Sequence, residues 1–258
     1  MTRERERVMQ SVITTVLIPG GVFAMGDAAG RPDEQPVHSV YVSAVRFAVR
    51  PVTNEEYGRF CRATGHEPPR FWQDARFNAA DQPVVGVSWS DAVRFCEWLS
   101  DGAGPRWRLP SEAEREKAAR GGLQGASYPW GDDAGPHGGR VPQDAPRPVG
   151  LLQPNGYGLY DMADNVHEWC SDWYSPDYYA TSPPRDPRGP LAGTRRASRG
   201  GAWRHQVKVS RCAARSSLDP SFRYNDYGVR VVQDVERGTE AARGTFQPIA
   251  LIASPGAH

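Results

Sequence analysis

The chain has 258 residues, with 31 basic against 30 acidic side chains, 27 glycines, 23 prolines and eight tryptophans. A balance so close to neutral excludes tight binding to nucleic acid through a broad basic face, and no apolar run approaches the roughly 20 residues of a membrane helix. Abundant glycine, proline and tryptophan predict a loop-rich single domain pinned by aromatic anchors rather than long helices.

The first residues, MTRERERVMQSVITTVLIPGG, alternate charge and then give a short apolar run over 12–18, with no small-residue cleavage pattern behind it. They read as an extension over residues 1–15 and not as a signal peptide, and a soluble, cytoplasmic protein is expected. Short β-like runs follow, TVLIPGGVFAMG and HSVYVSAVRFAV, in which His38 alternates like a structural strand residue. Three segments then share one pattern: Thr53 three residues before Glu56, Ser88 before Asp91, and Ser111 before Glu114. Each is a capping box that opens a short helix. Tyr57, Phe60 and Cys61, and again Ala92, Phe95, Cys96 and Leu99, follow helical spacing, and Gly65 and Gly121 make natural stops. Residues 174–197 hold five prolines and no periodicity, which predicts a surface loop or lid. After about Val235 the pattern fades into a C-terminal tail over 236–258. The four cysteines, Cys61, Cys96, Cys170 and Cys212, form no CxxC pair. Free thiols in a reducing compartment are expected, not a zinc site or a disulfide framework.

Taken in order, IPGGVFAMGD, RPVTNEEYGRF, PVVGVSWSDAVRFCEWL, RLPSEAEREKAARGG, YPWGDD, NGYGLYDMADNVHEWCSDWY, RGGAWRH, RCAARSS and YGVRVV resemble the domain of formylglycine-generating enzymes. The resemblance implies a compact, loop-rich α+β fold akin to C-type lectins, a single domain over residues 16–235. That family holds sulfatase-activating oxidases, sulfoxide synthases, a pyoverdine-maturation protein and catalytically silent paralogues, so the fold alone does not name a reaction. Its oxidases bind Cu(I) through two cysteine thiolates in the stretch that here reads RHQVKVS, which is shorter and contains no thiol. The resemblance places Cys212 at a structural position whose disulfide mate would fall at Ala118 or Ala119, and Cys96 at one whose mate would fall near Val231. The sulfoxide synthases bind iron through an HxxxHxE triad on a separate helical domain. None of His38, His66, His137, His167, His205 and His258 has that spacing.

For DMADNVHE the resemblance implies one structural calcium, held by side-chain oxygens of Asp161 and Glu168 and by the main-chain carbonyls of Asp164 and Val166. The residues alone read as a solvated acidic face. Trp203, His205 and Arg211 are the candidates for chemistry. His205 could ligate a metal or act as a general base, or be a half-exposed loop histidine; His167, between aromatic anchors, reads as packing. Arg204, Lys208, Arg211, Arg215 and Arg223 could line a cleft for an acidic peptide, a carboxylated metabolite or a phosphate, or could pair with internal carboxylates. Tyr157, Tyr160, Trp169, Trp173 and also Trp203 read as core aromatics rather than a recognition cage.

The functional expectation is an oxidative tailoring enzyme: an oxygen-dependent oxidoreductase with its redox metal unassigned, acting as a monomer on a small molecule or peptide-bound group without the two-cysteine copper mechanism. A non-catalytic, calcium-stabilised binding module and a sulfatase activator using residual thiols stay open beside it. Neither nucleic acid nor membrane is expected as a partner.

Overall fold

In a computed structural model that describes residues 13–101, 104–134 and 143–235, the three capping boxes open the three α-helices of the described residues. The tail over 236–258 and residues 1–12 of the extension lie outside them. Helix α1 (Asn54–Thr64) follows Thr53, α2 (Trp89–Leu99) follows Ser88 and α3 (Glu112–Arg120) follows Ser111. In each, the cap side chain accepts from the third helical N–H and the Glu or Asp at that position accepts from the cap backbone. Such a cap contributes about 1 kcal/mol. Gly65 and Gly121 end α1 and α3 in the left-handed region, at φ 71° and 59°, where a Cβ is penalised.

Among the described residues, ten short strands make three sheets. β1 (Thr15–Ile18), β4 (Val45–Ala48), β10 (Val232–Asp234) and β5 (Trp107–Arg108) form an antiparallel sheet in the order β1-β4-β10-β5. β2 (Gly21–Met25) pairs only with β3 (His38–Val42). The third sheet runs β8 (Ser216–Leu218), β7 (Arg196–Arg199), β6 (His167–Trp173) and β9 (Tyr227–Gly228), with β6 and β9 parallel. Tyr57, Phe60, Phe95 and Leu99 of α1 and α2 close over Trp169, Val229 and Val231 in the main apolar core. The mixed, loop-rich α+β domain expected from the sequence is the one found.

Helix α3 is the departure. All nine of its residues, EAEREKAAR, are buried, although its composition suits a solvated surface. Glu112 accepts from Arg199 (3.0 Å) and Arg215 (2.8 Å), Glu114 from Arg108 (2.7 Å), and Glu116 from Arg120 (2.7 Å) and Arg199 (2.9 Å). Lys117 Nζ donates to the carbonyls of Pro19 (2.7 Å) and Gly21 (3.0 Å), fastening the turn between β1 and β2. Buried charges are tolerated when each is paired, and deleting one partner of such a pair costs about 3–5 kcal/mol.

The proline-rich stretch is a fastened loop, not a lid. Tyr41 N donates to the Pro184 carbonyl (2.8 Å), Ser43 N donates to Asp186 (2.7 Å), and the Arg185 guanidinium lies 3.9 Å from the Tyr41 ring centre. Tyr179 is buried, and its hydroxyl accepts from Arg199 (2.6 Å).

Candidate functional site

The site grows from the parallel pairing of β6 and β9. His167, the first residue of β6, donates its N–H to the carbonyl of Asp226, the residue before β9, at 2.8 Å. The pairing therefore places an imidazole and a carboxylate side by side, though 59 residues separate them. After β7, Gly200 (φ 101°) and Gly201 (φ 67°) turn the chain sharply. A Cβ on Gly201 would run into Ser210. The turn carries His205 back over His167, with ring centres 5.2 Å apart and planes inclined by 62°.

One ligand-type atom from each of His167, His205 and Asp226 lies within 4.8 Å of the others. His167 stacks on Tyr227 at 4.8 Å, which fixes its ring. His167 Nδ1, His205 Nδ1 and Asp226 Oδ1 are buried and make no hydrogen bond. Burial pushes the His167 imidazole down to about 3, helped by the charges of His205 and Arg204. Burial also lowers His205 and raises the Asp226 carboxyl. Both rings are therefore neutral at ordinary pH.

His167 and His205 face a cavity of about 510 Å³ whose walls include Arg31, Glu34, Lys208, Arg211 and Arg215. Arg211 is held by Asp27 (2.6 Å) and both oxygens of Glu34 (2.8 Å each). Arg215 is held by both oxygens of Glu112 (2.8 Å each) and lies over the Tyr179 ring at 4.3 Å. Internal pairing is thus what the fold does with these two arginines. Lys208 has no carboxylate partner among the described residues. Arg223 pairs with Asp91 (2.8 Å) away from this cavity. A larger cavity, about 740 Å³, lies between Trp89, Trp107 and Arg196, and no histidine among the described residues lines it.

Of the three candidates for chemistry, the structure brings His205 and Arg211 to the cavity. Trp203 is buried instead, 5.9 Å from the Phe77 ring, with its indole N–H donating to the Asn225 carbonyl. His167 packs on Tyr227, as the sequence suggested, and also stands beside His205; Asp226 was not singled out from the sequence. What could have drawn attention to Asp226 is its place immediately before the strand YG of YGVRVV.

All four cysteines are free, and none lines this cavity. Cys212 packs in one apolar cluster with Ala118 and Ala119, and Cys96 in another with Val231. Burial pushes the Cys212 thiol up to about 12 and raises Cys96 and Cys170 as well.

The four residues for which calcium is implied share one bend, with Asp161 at φ 54° and Asp164 at φ 67°. Glu168, however, accepts from Arg115 (2.6 Å) and Arg230 (3.0 Å), and the Asp164 carbonyl accepts from Arg147 (3.0 Å). Arg115 also donates to the Met162 carbonyl (3.0 Å). Asp161 Oδ2 accepts from Gly150 N (2.7 Å), while its buried Oδ1 has no partner and burial raises its carboxyl. Val166 is packed in the core. Asp161 Oδ1 is an oxygen that a cation would satisfy; Glu168 is one that it would have to take from two guanidinium groups. As folded, the donor set fits arginine better than calcium.

The family described as "Sulfatase-modifying factor enzyme 1-like domain" matches residues 2–235. A protein of Streptomyces coelicolor named formylglycine-generating enzyme is 37% identical over 86% of this chain and 89% of its own length. A Chlamydia pneumoniae protein named serine/threonine-protein kinase pkn1 is also 37% identical over 88% of this chain, which spans only 39% of that relative. Among solved structures, PvdO from Pseudomonas aeruginosa superposes with a TM-score of 0.75 at 29% identity, over 86% of this chain and 94% of its own. Matched in sequence over nearly its whole length and in fold by a solved relative, the chain belongs to the formylglycine-generating enzyme, or sulfatase-modifying factor, domain family.

Proposed function

We propose that this chain is an oxidative tailoring enzyme that acts on a small molecule or peptide-bound group in the cavity floored by His167 and His205, without paired-thiolate copper chemistry. The observation that carries this reading is the floor itself. It presents two neutral imidazoles beside a buried carboxylate, while no cysteine lines the cavity. Imidazole and carboxylate groups of this kind move protons or hold a metal. Lys208 on the wall suits a substrate that carries an acidic group. Four free cysteines suit a reducing compartment, which supports a cytoplasmic enzyme.

The test is oxygen uptake by the purified chain with panels of acidic metabolites and peptides, followed by mass spectrometry. Loss of two hydrogens, about −2 Da with dioxygen reduced to peroxide, or gain of one oxygen, about +16 Da with two electrons from added ascorbate, is the expected product signature. His205→Ala should abolish it. Saturable binding of a panel member with neither change in mass would make the chain a binding module instead.

A further inference from the structure

We propose that His167, His205 and Asp226 form a binding site for one divalent transition-metal ion, with its open positions facing the cavity. The proposal rests on the reading of that cavity as the reactive site, but it can fail or stand separately.

Buried polar atoms are nearly always hydrogen-bonded, and leaving one unsatisfied is destabilising. Here three neighbouring side chains each keep one such atom, His167 Nδ1, His205 Nδ1 and Asp226 Oδ1, and His205 Nε2 stands 4.0 Å from Asp226 Oδ2. His167 and Asp226 are 6% and 4% exposed, so neither can turn out to solvent without dismantling the pairing of β6 with β9. One ligand atom from each residue lies within 4.8 Å of the others, so a single ion would gain three donors at once. Its character follows from the donors. Two imidazole nitrogens and one carboxylate oxygen suit Fe(II), Co(II) or Zn(II), whereas calcium and magnesium take oxygen ligands.

The geometry is close to that of a loaded site. Ligand atoms about 2.1 Å from an ion lie at most about 4.2 Å apart, so a spread within 4.8 Å closes by about half an ångström. The His167 ring is already oriented by stacking on Tyr227, and the backbone of His205 is held by the turn in which its main-chain N–H donates to the Ala202 carbonyl (2.9 Å). The competing cation is Arg204, whose guanidinium stands 3.8 Å from Asp226 Oδ2. Its side chain is half exposed and can swing into solvent when an ion arrives. Three protein ligands leave positions open, and both histidines line the cavity, so a substrate group entering there meets the ion directly.

The experiment titrates Co(II) into the full chain after chelator treatment and reads the visible ligand-field bands and the stoichiometry. One ion per chain is expected. His205→Ala and the near-isosteric Asp226→Asn should weaken it by more than the roughly 10–100-fold typical of losing an outer-shell partner, and the surface variant Arg76→Ala should bind as the parent does. Thermal melts of each variant separate ligand loss from unfolding. Absence of bands in the folded parent, or bands unchanged in both ligand variants, overturns the site and leaves water as the occupant. Metal bound as expected in a protein that oxidises nothing supports the site and removes the oxidative function. Oxidation by a parent that gives no Co(II) bands keeps the function and removes the metal.

Discussion

A thiol reacts as its thiolate, and Cys212 lies buried against Ala118, Ala119 and Leu159 with its ionisation pushed up to about 12. Little thiolate is present there at pH 8, so burial disfavours nucleophilic chemistry at Cys212. Cys61 is only partly buried. A maleimide added to the native chain is therefore expected to label Cys61 alone, and Cys96, Cys170 and Cys212 only as the protein unfolds, as peptide mass mapping over time would show. Rapid labelling of Cys212 in the folded chain would restore thiol-based sulfatase activation. The thiol-free RHQVKVS stretch was legible in the sequence, as was His205. The partners of His205 were not, because His167 and Asp226 meet only through a strand pairing between distant segments.

Helix α3 shows the same limit at the scale of an element. Its start at Ser111 and its stop at Gly121 follow from local chemistry, and both are found. Its burial follows from arginines as far off as Arg215, 103 residues away, and no local pattern announces them. The end of α3 also holds a strained carboxyl. Asp172 accepts from Glu112 N (3.0 Å) and Ser171 Oγ (2.9 Å), yet burial and the nearby Glu112 charge push it up to about 7. An unfolded aspartate titrates near 3.9, so between about pH 4 and 7 the folded state holds more protons than the unfolded one. The stability from this group is complete below about pH 4 and is lost as pH rises through 7. Asp172→Asn keeps an oxygen acceptor and removes that titration. Its melting temperature should exceed the parent's at pH 8, by an amount reflecting on the order of 4 kcal/mol, and the difference should shrink toward pH 4. A constant difference across that range would show that Asp172 is ionised without penalty.

Across the whole molecule, a near-neutral overall charge conceals a heavily charged interior. Capped helices and the α+β class could be read from spacing and turn chemistry, whereas the insertion of β10 between β4 and β5 could not, since it joins opposite ends of the domain. The calcium expectation turns on the same interior. Around the DMADNVHE bend, three carboxylates, Asp161, Asp164 and Glu168, face three guanidinium groups, Arg115, Arg147 and Arg230. The charges balance with no ion added, and Glu168 is already held by two arginines. Chelation by EGTA is therefore expected to leave the melting temperature of the parent chain unchanged. Arg115→Met removes one guanidinium from a buried pair and should cost about 3–5 kcal/mol, or about 2–4 °C for each of those kcal/mol in a domain this size. It also frees the Met162 carbonyl and part of Glu168, so added calcium should recover stability in this variant while doing nothing for the parent. A fall of several degrees when EGTA is added to the parent itself would mean that calcium, not arginine, closes the bend. The guanidinium contacts of Glu168 would then be the arrangement that the ion displaces.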